Sequence, residues 1–179
     1  HNINDFLDKK FRNKILSYKK EFKIKKIGLS IYETQELKHL NKDINVIQIP
    51  INILNRNFDE DRIKKILNRK KIEINARSIF QQGLFRINQK KLRKNFYELY
   101  EPIKLIRKLS KKNNLNTLEL SLSYVNSLRF INNLIIGFNS LNQLKQNIKS
   151  LQKKPPKNLI NFMKINNFNK LEKVNIHKW

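Results

Sequence analysis

The chain has 179 residues, 39% of them apolar and 30% charged, with a formal net charge of +25 and no cysteine. It is long enough for one domain with a real core and too short for two. Disulfides, thiolate metal sites and cysteine catalysis are excluded, and no apolar run approaches the roughly 20 residues of a membrane-spanning helix.

His1, His39 and His177 are too scattered for a zinc site, so no metal is expected. The charge invites a nucleic-acid reading. Yet Lys9, Lys10 and Lys14, then Lys64 and Lys65, then Lys108, Lys111 and Lys112 are spread over successive helices rather than gathered in one stripe. Charge describes solubility and nonspecific binding better than fold, so nucleic acid is not the expected partner. No signal peptide is visible, and a cytoplasmic location is the default. The chain opens HNINDFLDKK and its only methionine is Met163, which points to a fragment of a longer protein.

The first predicted helix, FRNKILSYKKEF (11–22), places Phe11, Ile15 and Tyr18 on one face. A first strand, IKKIGLSIY (24–32), leads to a short helical run, ETQELKHL (33–40), and a second strand, INVIQIPI (44–51). DEDRIKKILNR (59–69) carries acidic residues in its first turn, where the helix dipole favours them. KIEINARSIF (71–80) is the third strand. A helix then includes Leu105 to Leu109, and TLELSLSYVNSL (117–128) opens after Asn116 with Glu119 three residues on, a capping pattern. The fourth strand, NLIIGFN (133–139), runs into the helix SLNQLKQNIKSL (140–151). Pro155 and Pro156 end that helix and begin a strand-free tail.

Strand–helix alternation implies parallel strands joined by crossover helices. Each strand has an apolar face and a polar or glycine face. Ile27, Leu29 and Ile31 oppose Gly28 and Ser30; Ile47, Ile49 and Ile51 oppose Gln48 and Asn52; Ile72, Ile74 and Ala76 oppose Glu73, Asn75 and Arg77; Ile136 and Phe138 oppose Gly137 and Asn139. An open sheet covered on both sides is apolar on both faces. A barrel carries helices only outside. Four βα units are half of a (β/α)8 TIM barrel, which takes about 250 residues. The expected fold is therefore α/β, with residues 1–152 forming the second half of such a barrel (strands 5 to 8) and residues 153–179 a tail packed on its exterior.

Chemistry in such barrels sits at the C-terminal strand ends. Those ends offer Ser30, Gln48, Arg77 with Ser78, and Gly137 with Asn139. IKKIGLSIYE, DINVIQIPINILNRNF, IEINARSIFQQGLF and IIGFNSLNQLKQNI, in that order, resemble the second half of the aldo/keto reductases. HNINDFLD resembles the segment after that family's fourth strand, and the tail ending in Trp179 resembles a family C-terminus. The resemblance implies reduction of an aldehyde or ketone by a nicotinamide cofactor, NADP(H) before NAD(H), with a small carbonyl compound as the other partner. It implies His1 as the substrate-orienting catalytic histidine, and Ser30 and Gln48 as holders of the carboxamide. Ser78, Gln82 and Gly83 match the pyrophosphate-side segment, with both glutamines of the loop expected to face the cofactor. Gly137, Asn139, Gln143 and Asn147 match the segment at the adenosine end.

The family's tyrosine, lysine and aspartate lie upstream of its histidine, so the chain is expected to lack them and to be inactive alone. Ile31 follows the serine where the family has Asn or Arg. Arg77 stands where an aromatic often stacks on the nicotinamide. A guanidinium can stack too, but it repels the oxidised ring, so contact with substrate or phosphate is the other reading. Plainer roles stand beside several assignments. Ser140 and Gln143 form the helix cap S-x-x-Q. Gln48 can be a satisfied lumen amide, Gly28 a site of close backbone approach, and Asn52 the cap of a turn. Two other classes stay open: a basic, ribosome-associated RNA-binding protein, and a catalytically inactive family member that binds cofactor or a partner.

Overall fold

A computed structural model describes residues 3–171 and Val174. Two helices, α1 (Ile3–Leu7) and α2 (Lys9–Glu21), precede β1 (Gly28–Ser30). A 3-10 turn at Thr34–His39 leads to β2 (Val46–Pro50), and another at Asn57–Asp59 to α3 (Asp61–Lys70). β3 (Glu73–Arg77) is followed by a 3-10 segment at Gln81–Arg86, then α4 (Gln89–Asn95), α5 (Tyr97–Lys112) and α6 (Thr117–Asn126). β4 (Asn133–Leu134), α7 (Leu141–Leu151) and α8 (Leu159–Ile165) complete the described chain.

The four strands are parallel and lie in the order β1-β2-β3-β4. A doubly wound sheet reverses its strand order part-way; this one advances in one direction, as a barrel wall does. Burial agrees. Ile31, Ile47, Ile49, Ile51, Ile74 and Ala76 are shut away against the helices, while Ser30, Gln48, Asn75 and Arg77 on the other face are only half-buried. The chain is an α/β fold forming part of a (β/α)8 barrel. Gly28 sits where β1 and β2 run close: a Cβ there would lie 2.9 Å from the Val46 carbonyl oxygen.

The strands are shorter than the sequence pattern suggests, for local reasons. Lys23 takes a left-handed φ of 51° as the chain leaves α2, so 24–27 approaches the sheet as a connection. Ser78, at φ 59°, ends the third strand before Ile79 and Phe80. β4 pairs only with β3, and its last rung is the Ile135 amide on the Ala76 carbonyl at 2.8 Å. The run 33–40 is a 3-10 turn rather than an α-helix, held by reciprocal caps between Glu33 and Glu36.

The capping signals behave as read. Asn116 Oδ1 accepts from the Glu119 amide at 2.9 Å, and Glu119 Oε2 from the Asn116 amide at 2.8 Å. The tail contains α8, and Leu159, Phe168 and Val174 are buried. Arg56 fastens it, donating through Nη2 to the carbonyls of Met163 at 3.1 Å and Asn166 at 2.8 Å.

Candidate active site

The strand register sets a polar row across the exposed face of the sheet. Ser30 pairs with Gln48, Gln48 with Asn75, and Asn75 with Asn133. Ser30 Oγ donates to Gln48 Oε1 at 3.4 Å, and Asn133 Nδ2 to Asn75 Oδ1 at 2.9 Å. Hydroxyl and amide groups side by side supply both donors and acceptors, as a planar carboxamide requires. Ser30 and Gln48 are thus brought together. Asn75 and Asn133 extend the row and were not nominated from sequence, although alternation had already placed Asn75 on this face.

Arg77 closes β3 one step nearer the mouth, opposite Pro50. Its guanidinium carbon lies 4.2 Å from the centre of the Tyr32 ring, and Nη1 donates to Ser78 Oγ at 3.3 Å. Burial lowers the Arg77 pKa; Tyr32 and Glu36 pull it back up. Tyr32, just past β1, is another residue the sequence reading passed over.

The loop after β3 is pinned from beneath by two buried amides. Asn52 Nδ2 donates to the Ser78 carbonyl at 3.0 Å and to Gln81 Oε1 at 2.5 Å. Gln81 Nε2 donates to the Val174 carbonyl at 2.8 Å. Gln81 is therefore turned inward, against the expectation that both glutamines face a ligand; its amide is consumed in tying the loop to the tail. Gln82 stays exposed at φ 49°, beside Gly83 at φ 81°. Nothing lies within 4 Å of a Cβ built on Gly83, so the glycine serves the turn's left-handed backbone rather than a tight approach.

At the far end, Gly137 and Asn139 are exposed. Ser140 Oγ accepts from the Gln143 amide at 3.2 Å, and Gln143 Oε1 accepts from the Asn139 amide at 2.9 Å. Gln143 thus has a capping role. Asn147 instead lines a cavity of about 270 Å³ with Phe85, Arg86, Thr117, Gln146 and Ser150, where the loop after β3 meets α6 and α7. His1 lies outside the described residues. Among the described residues no cluster of His, Asp or Glu could hold a metal ion, and no helix is long and apolar enough to cross a membrane.

The sequence matches the profile of the Aldo/keto reductase family over residues 13–165. The chain belongs to the aldo/keto reductase family. Among solved structures it is similar to an aldo-keto reductase from Klebsiella pneumoniae, crystallised in complex with NADPH. The TM-score is 0.61 at 13% identity, over 92% of this chain and 56% of that one. That likeness is one of fold, and the chain spans little more than half the length of the solved protein. No curated protein sequence matches it. Within the aldo/keto reductase frame, Arg77 and the loop after β3 stand at the C-terminal end of the strands, with the polar row one step deeper; chemistry in barrels of this kind sits at that end.

Proposed function

We propose that this chain supplies the cofactor-binding part of an enzyme that reduces an aldehyde or ketone, with NADP(H) preferred to NAD(H). The observation that carries the reading is the paired Ser30 hydroxyl and Gln48 amide, in register on the polar face of neighbouring strands of a family member. The donor set fits a nicotinamide carboxamide. Ser30 and Gln48 grip it, with Asn75 as the next polar group along the row. The exposed Gln82 and the half-buried Gly83, with Ser78, line the path of the pyrophosphate. Gly137 and Asn139 leave room beyond, and Asn147 meets the adenosine end in the cavity between α6 and α7. Gln143 contributes chiefly by shaping that turn, since its Oε1 is committed to the Asn139 amide.

When bound, the reduced nicotinamide supplies the hydride. Ser30 and Gln48 would hold the carboxamide, and Ser78, Gln82 and Gly83 would hold the pyrophosphate side. His1 is assigned to orient the substrate carbonyl. The proton that must reach the carbonyl oxygen is assigned to no residue of this chain. Val174 of the tail holds the loop after β3 through its carbonyl, which accepts from Gln81 Nε2. The Ser30→Ala, Gln48→Ala double variant should weaken NADPH binding at least tenfold in a fluorescence titration, with the far-ultraviolet circular dichroism unchanged. Saturable binding of equal strength in wild type and variant would sink the assignment.

A further inference from the structure

Three half-buried arginines differ in how they are satisfied. Arg56 sets one terminal nitrogen between the carbonyls of Met163 and Asn166, although its Nε, like that of Arg77, is screened and finds no acceptor among the described residues. Arg107 sets one terminal nitrogen between those of Phe85 and Ile87. Arg77 has neither a carbonyl nor a carboxylate. Its Nη1 reaches the Ser78 hydroxyl, while Nε and Nη2 are screened from solvent and find no acceptor among the described residues. None of the ion pairs among those residues includes Arg77. The neighbouring carboxylate is Glu36, and its Oε2 already accepts from the amides of Tyr32 at 2.6 Å and Glu33 at 2.8 Å.

A guanidinium cannot shed its proton to escape this situation. Leaving buried N–H groups unpaired is unfavourable, and a residue needed only to pack beside Tyr32 could be apolar. The Tyr32 ring, 4.2 Å away, braces the planar cation without neutralising it. Planarity suits two parallel hydrogen bonds to a carboxylate or phosphate. Arg77 also stands at the mouth, next to the row that ends in Ser30 and Gln48.

We propose that Arg77 receives the anionic group of the substrate, a carboxylate or phosphate, so that the carbonyl compound reduced here is an acidic one. The inference rests on the reading that reduction takes place in this mouth. It also removes a conflict within that reading. An unneutralised guanidinium beside the nicotinamide opposes hydride loss, because the oxidised ring is cationic. An anion held by Arg77 cancels that opposition, and coupling the two makes reduction selective for charged substrates.

The test is titration of the 15N-labelled chain at constant ionic strength, following the arginine Nε–H signals. The probes are pyruvate, dihydroxyacetone phosphate and neutral acetone. Arg77 should shift saturably with pyruvate or with dihydroxyacetone phosphate, the stronger of the two marking carboxylate or phosphate as the group, and should ignore acetone. The other arginines should only drift. Arg77→Lys should keep the pyruvate or phosphate effect with affinity reduced about tenfold, read from the remaining backbone signals, and Arg77→Met should abolish it. A uniform drift of all arginines, as a chain of charge +25 gives with any anion, would overturn the proposal, as would an equal response to acetone. NADPH binding, followed by fluorescence on the same sample, separates the two ideas. Cofactor binding without an anion response removes only the Arg77 assignment. An anion response without cofactor binding removes the oxidoreductase reading and leaves Arg77 an anion site.

Discussion

Asn52 shows how a single buried amide can organise a mouth. Its Nδ2 serves the Ser78 carbonyl and Gln81 Oε1, and its Oδ1 accepts from the amides of Leu54 and Asn55, both at 2.9 Å. The side chain is wholly buried, so water cannot replace these bonds. Asn52→Ala leaves several polar groups unpaired at once, and should cost about 3 kcal/mol, the upper end for such losses, measured by urea unfolding. An effect below ~1 kcal/mol would mean that the loop relaxes and re-pairs. Sequence reasoning reached Asn52 as a turn cap, because asparagine two residues before a free amide is a local pattern. It could not reach the bonds to Ser78 and Gln81, which join residues 26 and 29 positions apart. The same limit explains Gln81 and Tyr32. Ser30 and Gln48 were legible because period-two alternation alone decides which face of a strand they share.

Among the elements, α6 carries a charge arrangement with a measurable pH signature. Glu119 closes the capping box with Asn116, and its other oxygen takes Lys153 at 2.7 Å. Burial pushes the carboxyl pKa upward. The hydrogen bonds from Lys153 and the Asn116 amide, with the charges of Lys153 and Lys149, outweigh it and hold the pKa below the ordinary 4.5. A carboxyl with a lowered folded pKa stabilises fully above its unfolded value, and that stabilisation drains away as pH falls through the folded one. Glu119→Gln keeps the cap and removes the titration. Wild type should therefore unfold at a higher temperature than the variant at pH 6, with the gap closing below about pH 4. A gap that stays constant down to pH 3 would show that the charge is not the source. This cap was legible in advance, since its residues are three apart. The strand ends were not: they depend on the left-handed turns at Lys23 and Ser78 and on how far a neighbour offers a ladder.

At the scale of the molecule, the direction of winding was readable from one-sided strands, and the sheet advances β1 to β4 as that requires. A partial barrel wall also implies two unpaired strand edges. β1 and β4 each pair on one side only. Phe22 and Ile24, ahead of β1 in the chain, are exposed at 64% and 44%, and Ile135 and Phe138, just after β4, at 42% and 50%. An open parallel edge flanked by apolar side chains is a template for further pairing. Against it works the net charge of +25, which repels one copy from another. The two forces have different ranges. Repulsion is screened beyond a Debye length of roughly 10 Å at 0.1 M salt and 3 Å at 1 M, whereas hydrogen bonding and apolar contact act only at touch. Adding salt should therefore promote association of the isolated chain, opposite to the weakening expected of a complex with nucleic acid. Sedimentation velocity should give mainly monomer in about 0.05 M salt and a growing, concentration-dependent fraction of larger species near 0.5 M, where screening is nearly complete. Phe138→Glu, which sets a charge beside the β4 edge, should reverse much of that growth. A single monomeric species at both salts, with one sharp two-state urea transition, would show that the edges are closed within the chain itself.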